Sequence, residues 1–156
     1  MQQEDLELIG HAKKVLSLRW HHIADNVLAS YSMDSTIKIW DVNEGKAGIT
    51  YADHNAMPTA MRWSPKGDVL ALMLKNKTMT FFDPRSKDSV LSNPAHQSAR
   101  AQKIAWINDE TVVTVGFDKQ QQREYAVWDL RNLSDGPIAT DALGSEGSIP
   151  SLHFDR

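Results

Sequence analysis

The chain has 156 residues, 41% of them hydrophobic and 24% charged, with a formal net charge of −3 and no cysteine. That is enough chain and apolar content for one ordinary folded domain. The acidic balance argues against a protein whose main work is neutralising nucleic-acid phosphates, and the missing thiols exclude disulfide scaffolds and thiolate metal sites.

No apolar run reaches the length of a membrane helix, and the acidic stretch Met1 to Gly10 is unlike a signal peptide. Both point to a cytoplasmic domain without direct membrane insertion. In chain order, Leu6 to Ile9 reads as the outer strand of a preceding unit. Val15 to Trp20 (VLSLRW), Val27 to Ser32 (VLASYS) and Thr36 to Trp40 (TIKIW) come next as short runs of period 2, and Gly48 to Tyr51 closes the set. A second set reads Thr59 to Trp63, Asp68 to Leu74, Thr78 to Phe82 and Ser89 to Ser92. A third reads Ala101 to Trp106, Thr111 to Phe117, Glu124 to Trp128 and Pro137 to Thr140, and Ile149 to Phe154 reads as the first strand of a further unit.

Three markers share one period. Trp20, Trp63 and Trp106 stand 43 residues apart, His11, His54 and His96 stand 43 and 42 apart, and Trp40, Phe82 and Trp128, each with Asp directly after it, stand 42 and 46 apart. Four short strands per unit of roughly 40 to 45 residues is the pattern of a WD40 propeller blade. The expectation is an all-β, partial WD40 propeller over 1–156, with blades near 11–52, 54–93 and 96–141 and flanking strands at 6–9 and 149–154. Closed propellers have four to eight blades. Three blades leave apolar faces bare, so the chain is expected to be a fragment, or to self-associate or close on a partner.

Within the first unit, His11, Ser30, Asp34 and Trp40 stand where a buried polar chain forms. The indole N–H of Trp40 needs an acceptor once buried, a strand hydroxyl supplies it, and His11 bridges that hydroxyl to Asp34. The third unit repeats the set as His96, Thr114, Asp118 and Trp128. In the middle unit Leu72, Asn76 and Phe82 replace hydroxyl, acid and indole together, which removes donor and acceptor at once. Asp118 to Trp128 spans ten positions where Asp34 to Trp40 spans six, so the polar stretch DKQQQRE forms a longer hairpin loop. A Ser–His–Asp hydrolase reading fails because the set recurs with a Trp partner and no GxSxG elbow occurs. The pair His21–His22 lacks metal-ligand spacing and reads as a turn. No metal, cofactor or catalytic residue is expected.

These residues resemble the coronin family, WD40-repeat actin-binding proteins. The resemblance rests on GHAKKVLSLRWHHIADNVLASYSMDSTIKIWDV, on Asp83-Pro84-Arg85 after the degenerate unit, on the step Ala95-His96 to Arg100, on Thr114 to Asp129, and on IPSLHFD. It implies a seven-bladed propeller, of which this chain supplies roughly the third to fifth blades. It also implies a non-catalytic, cytoskeletal protein whose partners are actin filaments and actin regulators. Candidate contacts are Lys13, Lys14, Lys75, Lys77, Lys119 and Arg123, on loops that would face an acidic surface; taken singly, each also reads as a solvated loop side chain. The alternative is a general WD40 scaffold for membrane trafficking or for ubiquitin-ligase substrates.

Overall fold

The computed structural model describes residues 6–52, 56–86 and 90–144. Those residues build three four-stranded antiparallel sheets, each with its strands in sequence order. The first contains β1 (Val15–Trp20), β2 (Val27–Ser32), β3 (Ile37–Asp41) and β4 (Lys46–Tyr51). The second contains β5 (Pro58–Trp63), β6 (Leu70–Leu74), β7 (Thr78–Phe82) and β8 (Val90–Pro94). The third contains β9 (Lys103–Asn108), β10 (Thr111–Phe117), β11 (Arg123–Asp129) and β12 (Ala139–Ala142). The chain divides into two compact units, Met1–Asn55 and Ala56–Arg156, so the first sheet stands as one unit and the other two together form the second.

Each sheet is a meander because its strands are joined by hairpins, which only antiparallel neighbours allow. The register slips at the start of the inner strand in the first two sheets, between Val15 and Ser17 and again between Pro58 and Ala60. The third sheet slips instead at the other end of that strand pair, between Thr111 and Val112. In the β5–β6 turn Gly67 adopts φ +74, a conformation that costs a residue with a Cβ. Its amide donates to the Ser64 carbonyl, while Ser64 Oγ donates to Asp68 Oδ1 at 2.8 Å.

Burial falls from the middle of each sheet to its outer edge. All five residues of β6 are buried and all four of β12 are exposed. A middle strand buried on both faces reads as a continuous apolar run rather than an alternation, which is what Leu70-Ala71-Leu72-Met73-Leu74 shows. In the second unit the core draws Ala71, Met73, Met79 and Phe81 from one sheet and Ile104, Trp106, Val112, Ala126 and Trp128 from the next. Trp106 closes that packing: its indole donates to the Arg62 carbonyl at 3.3 Å and its ring meets Phe81 edge-on at 5.8 Å.

The third outer strand begins at Ala139 instead of Pro137, because a 3-10 segment at Leu130–Asp135, ended by Gly136 at φ +93, uses up the intervening residues. Leu6 to Ile9 pairs with none of the three sheets; an outer strand of a preceding blade needs that blade's own strands beside it. The strand at 149–154 lies outside the described residues.

Candidate functional site

The first sheet assembles the polar chain around Trp40. The register pairs Ser30 with Lys38 and Leu28 with Trp40, and the indole Nε1–H of Trp40 donates to Ser30 Oγ at 2.8 Å. His11 stands 2.6 Å from that hydroxyl through Nε2 and 2.9 Å from Asp34 Oδ2 through Nδ1. One neutral tautomer satisfies every member. Trp40 donates to Ser30, Ser30 donates to His11 Nε2, and His11 Nδ1–H donates to Asp34. Asp34 also accepts from the Ala12 amide at 2.9 Å and from the Thr36 hydroxyl at 2.7 Å. Burial alone would push the Asp34 carboxyl up; the bonds from Thr36, His11 and Ala12 outweigh it and hold the acid well below the ordinary carboxylate range. Gly10 belongs to the same packing, since a Cβ there would stand 3.0 Å from Trp40 Cη2.

The third sheet repeats the chain with one change of member. Trp128 Nε1–H donates to Thr114 Oγ1 at 2.8 Å, and His96 Nε2 lies 2.9 Å from that hydroxyl. The carboxylate on His96 Nδ1 is Glu124, at 2.7 Å, and not the expected Asp118. The inserted loop explains the exchange. Asp118 Oδ1 accepts the Gln122 amide at 2.8 Å, so it closes its own turn. Glu124 pairs with Gly116, two residues beyond the Thr114–Ala126 pair. Counting the same way from Ser30 and Lys38 arrives at Thr36, so Glu124 occupies the position of Thr36 and its longer side chain reaches the ring. Gly116 makes room, because a Cβ there would fall 2.4 Å from His96 Cγ. Glu124, Thr36 and Gly116 escape motif matching; only the strand register identifies them.

The middle sheet carries no equivalent chain on its described residues. Leu72 and Phe82 are buried apolar side chains, and Asn76 Oδ1 accepts the Thr78 amide at 3.2 Å within its own turn. His54 lies outside the described residues.

The expected contact residues divide into three groups. Lys13 and Lys14 are exposed before β1, with their carbonyls accepting from Ser32 Oγ and the Met33 amide, both at 2.9 Å. Arg123 is not a free cation: its Nε and Nη2 donate to the Gly144 and Leu143 carbonyls at 3.2 Å and clasp the end of β12. Lys75, Lys77 and Lys119 are exposed, and none of them enters an ion pair among the described residues. Asn76, Lys77 and Thr78, with Gln97 and Lys119, line a groove of about 360 Å³ over His96.

Residues 3–41 match the family described as WD domain, G-beta repeat. The chain is 38% identical over 132 residues to the coronin-like protein of Saccharomyces cerevisiae, covering 84% of this chain and 20% of that one. It is 36% identical over 138 residues to coronin-7 of Homo sapiens, covering 87% and 15%. The crystal structure of the WD40 domain from Toxoplasma gondii coronin superposes with a TM-score of 0.87 at 34% identity, over 95% of this chain and 39% of that one. The chain belongs to the coronin family.

This coronin homologue thus spans a fifth or less of the two relatives' length. The tract Asp83-Pro84-Arg85 has a physical role in it. Arg85 Nε and Nη2 fork onto both Asp83 oxygens at 3.0 Å, and Arg131 does the same to Asp129 at 3.0 and 2.7 Å. The Arg131 fork, helped by the Arg131 amide, draws the Asp129 carboxyl down to about 2. Each fork lies at the end of the third strand of a coronin blade and locks the turn by which the chain leaves that strand. Ser30 is 1% exposed and its oxygen already accepts from Trp40, so this Ser–His–Asp set offers no hydroxyl to a substrate. His21 and His22 lie past the end of β1 with their rings stacked 5.5 Å apart, and His21 Nδ1 accepts the Ala24 amide at 2.8 Å, so they serve as a turn.

Proposed function

We propose that this coronin homologue is a non-catalytic binding segment, the third to fifth blades of a seven-bladed propeller in its parent, which contacts actin filaments and actin regulators through its loops. Kinship with coronins carries the reading, and Lys75, Lys77 and Lys119, which enter no ion pair among the described residues, give it a chemistry. Exposed cations on loops held by a rigid sheet favour encounter with an acidic partner surface, and they act more on the rate of association than on affinity. The buried polar chains hold those loops in place and perform no reaction. A cytoskeletal location accords with the same reading.

The test is co-sedimentation of the intact protein with filamentous actin. Lys75→Glu combined with Lys119→Glu should lower the bound fraction, and the loss should shrink as salt rises. Unchanged co-sedimentation at low salt would remove these loops from the interface.

A further inference from the structure

Three loops of the second unit meet around one groove. The β6–β7 turn supplies Asn76, Lys77 and Thr78, the β8–β9 connection supplies Gln97 and its neighbours, and the β10–β11 loop supplies Lys119. A groove of about 360 Å³ has room for a few residues of extended chain. Among the described residues no carboxylate lines it. Glu124 accepts from His96 beneath the groove at 2.7 Å, and Asp118 accepts the Gln122 amide at 2.8 Å within its own turn. Lys77 and Lys119 enter no ion pair among the described residues, and they bring two ammonium groups to the rim of one concave surface.

The groove is also held in shape before any partner arrives. The Lys77 carbonyl accepts the Ala95 amide at 2.8 Å, the Lys77 amide donates to Leu74 at 3.1 Å, and the Lys75 amide donates to Met57 at 2.9 Å. Beneath, His96 is 2% exposed and fixed through both ring nitrogens. Pre-set walls spare a ligand the cost of ordering them. Among the described residues the lining contains no Phe, Tyr or Trp on which a base could stack and no arginine to fork onto a phosphate. Two ammonium groups from separate loops, with the Asn76 and Gln97 amides beside them, suit carboxylates spaced along a peptide.

We propose that this groove binds an extended, carboxylate-rich peptide segment of a partner protein, with Lys77 and Lys119 each taking one acidic side chain. The proposal rests on the reading of the chain as a protein-binding segment, but it needs no actin.

The probe is a fluorescein-labelled hexaglutamate peptide, with hexaglutamine as its uncharged counterpart, titrated against the intact protein by fluorescence anisotropy. Hexaglutamate should bind with an affinity that falls as salt rises, and hexaglutamine should not bind. Lys77→Glu and Lys119→Glu should each weaken binding about fivefold or more, the loss of roughly one charged contact. Together they should abolish it, while Lys46→Glu on β4 leaves it unchanged. Both lysines are exposed, and matching melting curves confirm folding of the variants. Equal binding of the two peptides, retention of hexaglutamate by the double variant, or its full displacement by equimolar inorganic phosphate would overturn the proposal. Because the probe contains no filament, failure here and failure of actin co-sedimentation are read separately.

Discussion

A buried indole N–H, a hydroxyl, an imidazole and a carboxylate stabilise a sheet only as a complete set, since each member left alone would carry its own desolvation cost. Asp34 ends one such set, and its acidity is held down by the donors around it. A carboxyl whose folded pKa is depressed adds stability that is fully present above its unfolded value, about 3.9. That stability is lost as pH falls from there through the folded value. Asp34→Asn should lower the melting temperature at pH 7 and flatten its fall below about pH 4. Parallel melting-temperature curves for the two proteins across that range would refute the account. In the third sheet the same logic separates two acids. Glu124→Ala strips His96 of its acceptor and should cost about 1–3 kcal/mol in urea unfolding. Asp118→Ala loses only a turn contact and should cost less. Equal losses would return Asp118 to the buried set.

At the level of the sheet, the middle unit shows that the polar set is removed whole. Leu72 stands where Ser30 and Thr114 supply hydroxyls, and Phe82 stands where the others have Trp. Phe82→Trp alone would bring an indole N–H against a leucine side chain in a filled core, at a cost of about 1–3 kcal/mol for the unmet donor plus overpacking. Leu72→Ser alone leaves a cavity. Made together, the two should be less harmful than their sum by about 1 kcal/mol or more, measured as the coupling in a double-mutant cycle. Strict additivity would mean that the two positions do not exchange as a pair. The lengthened β10–β11 hairpin shows the converse. Four extra residues move the turn carboxylate away from the histidine, and the strand register delivers another acid from within β11.

For the molecule as a whole, the equivalent residues Trp20 and Trp106 differ in what covers them. Trp106 is 7% exposed because a sheet stands before it in the second unit, whereas Trp20 is 60% exposed beside Leu18 on β1. An indole and a leucine bare on one strand face are an unmet apolar surface. The isolated chain should therefore self-associate with rising concentration. Leu18→Glu together with Trp20→Glu should return it to a monomer by sedimentation velocity. A wild-type chain that stays monomeric at high concentration would show that this face needs no cover.

The period of 42 to 46 residues, the runs of alternating strand residues and the Trp, His and hydroxyl positions were all legible from the amino acids. Each is a local requirement: a strand two residues in period, a ring that must be buried, a donor that must be met. The Asp-Pro-Arg tract is visible in the sequence but its role is not, because a fork between neighbours is a matter of side-chain geometry. Spacing along the chain points to Asp118, which follows Thr114 at the same distance as Asp34 follows Ser30, whereas register across the strands brings Glu124 to the histidine. Arg123 reads as a contact residue in the sequence, and in the structure its guanidinium also donates to the Gly144 and Leu143 carbonyls at the end of β12. Which carboxylate meets which histidine, which cation is already engaged, and which loops converge on one groove depend on distances between residues far apart in sequence. The tertiary structure decides those, because a motif records the order of residues and hydrogen bonds form between positions in space.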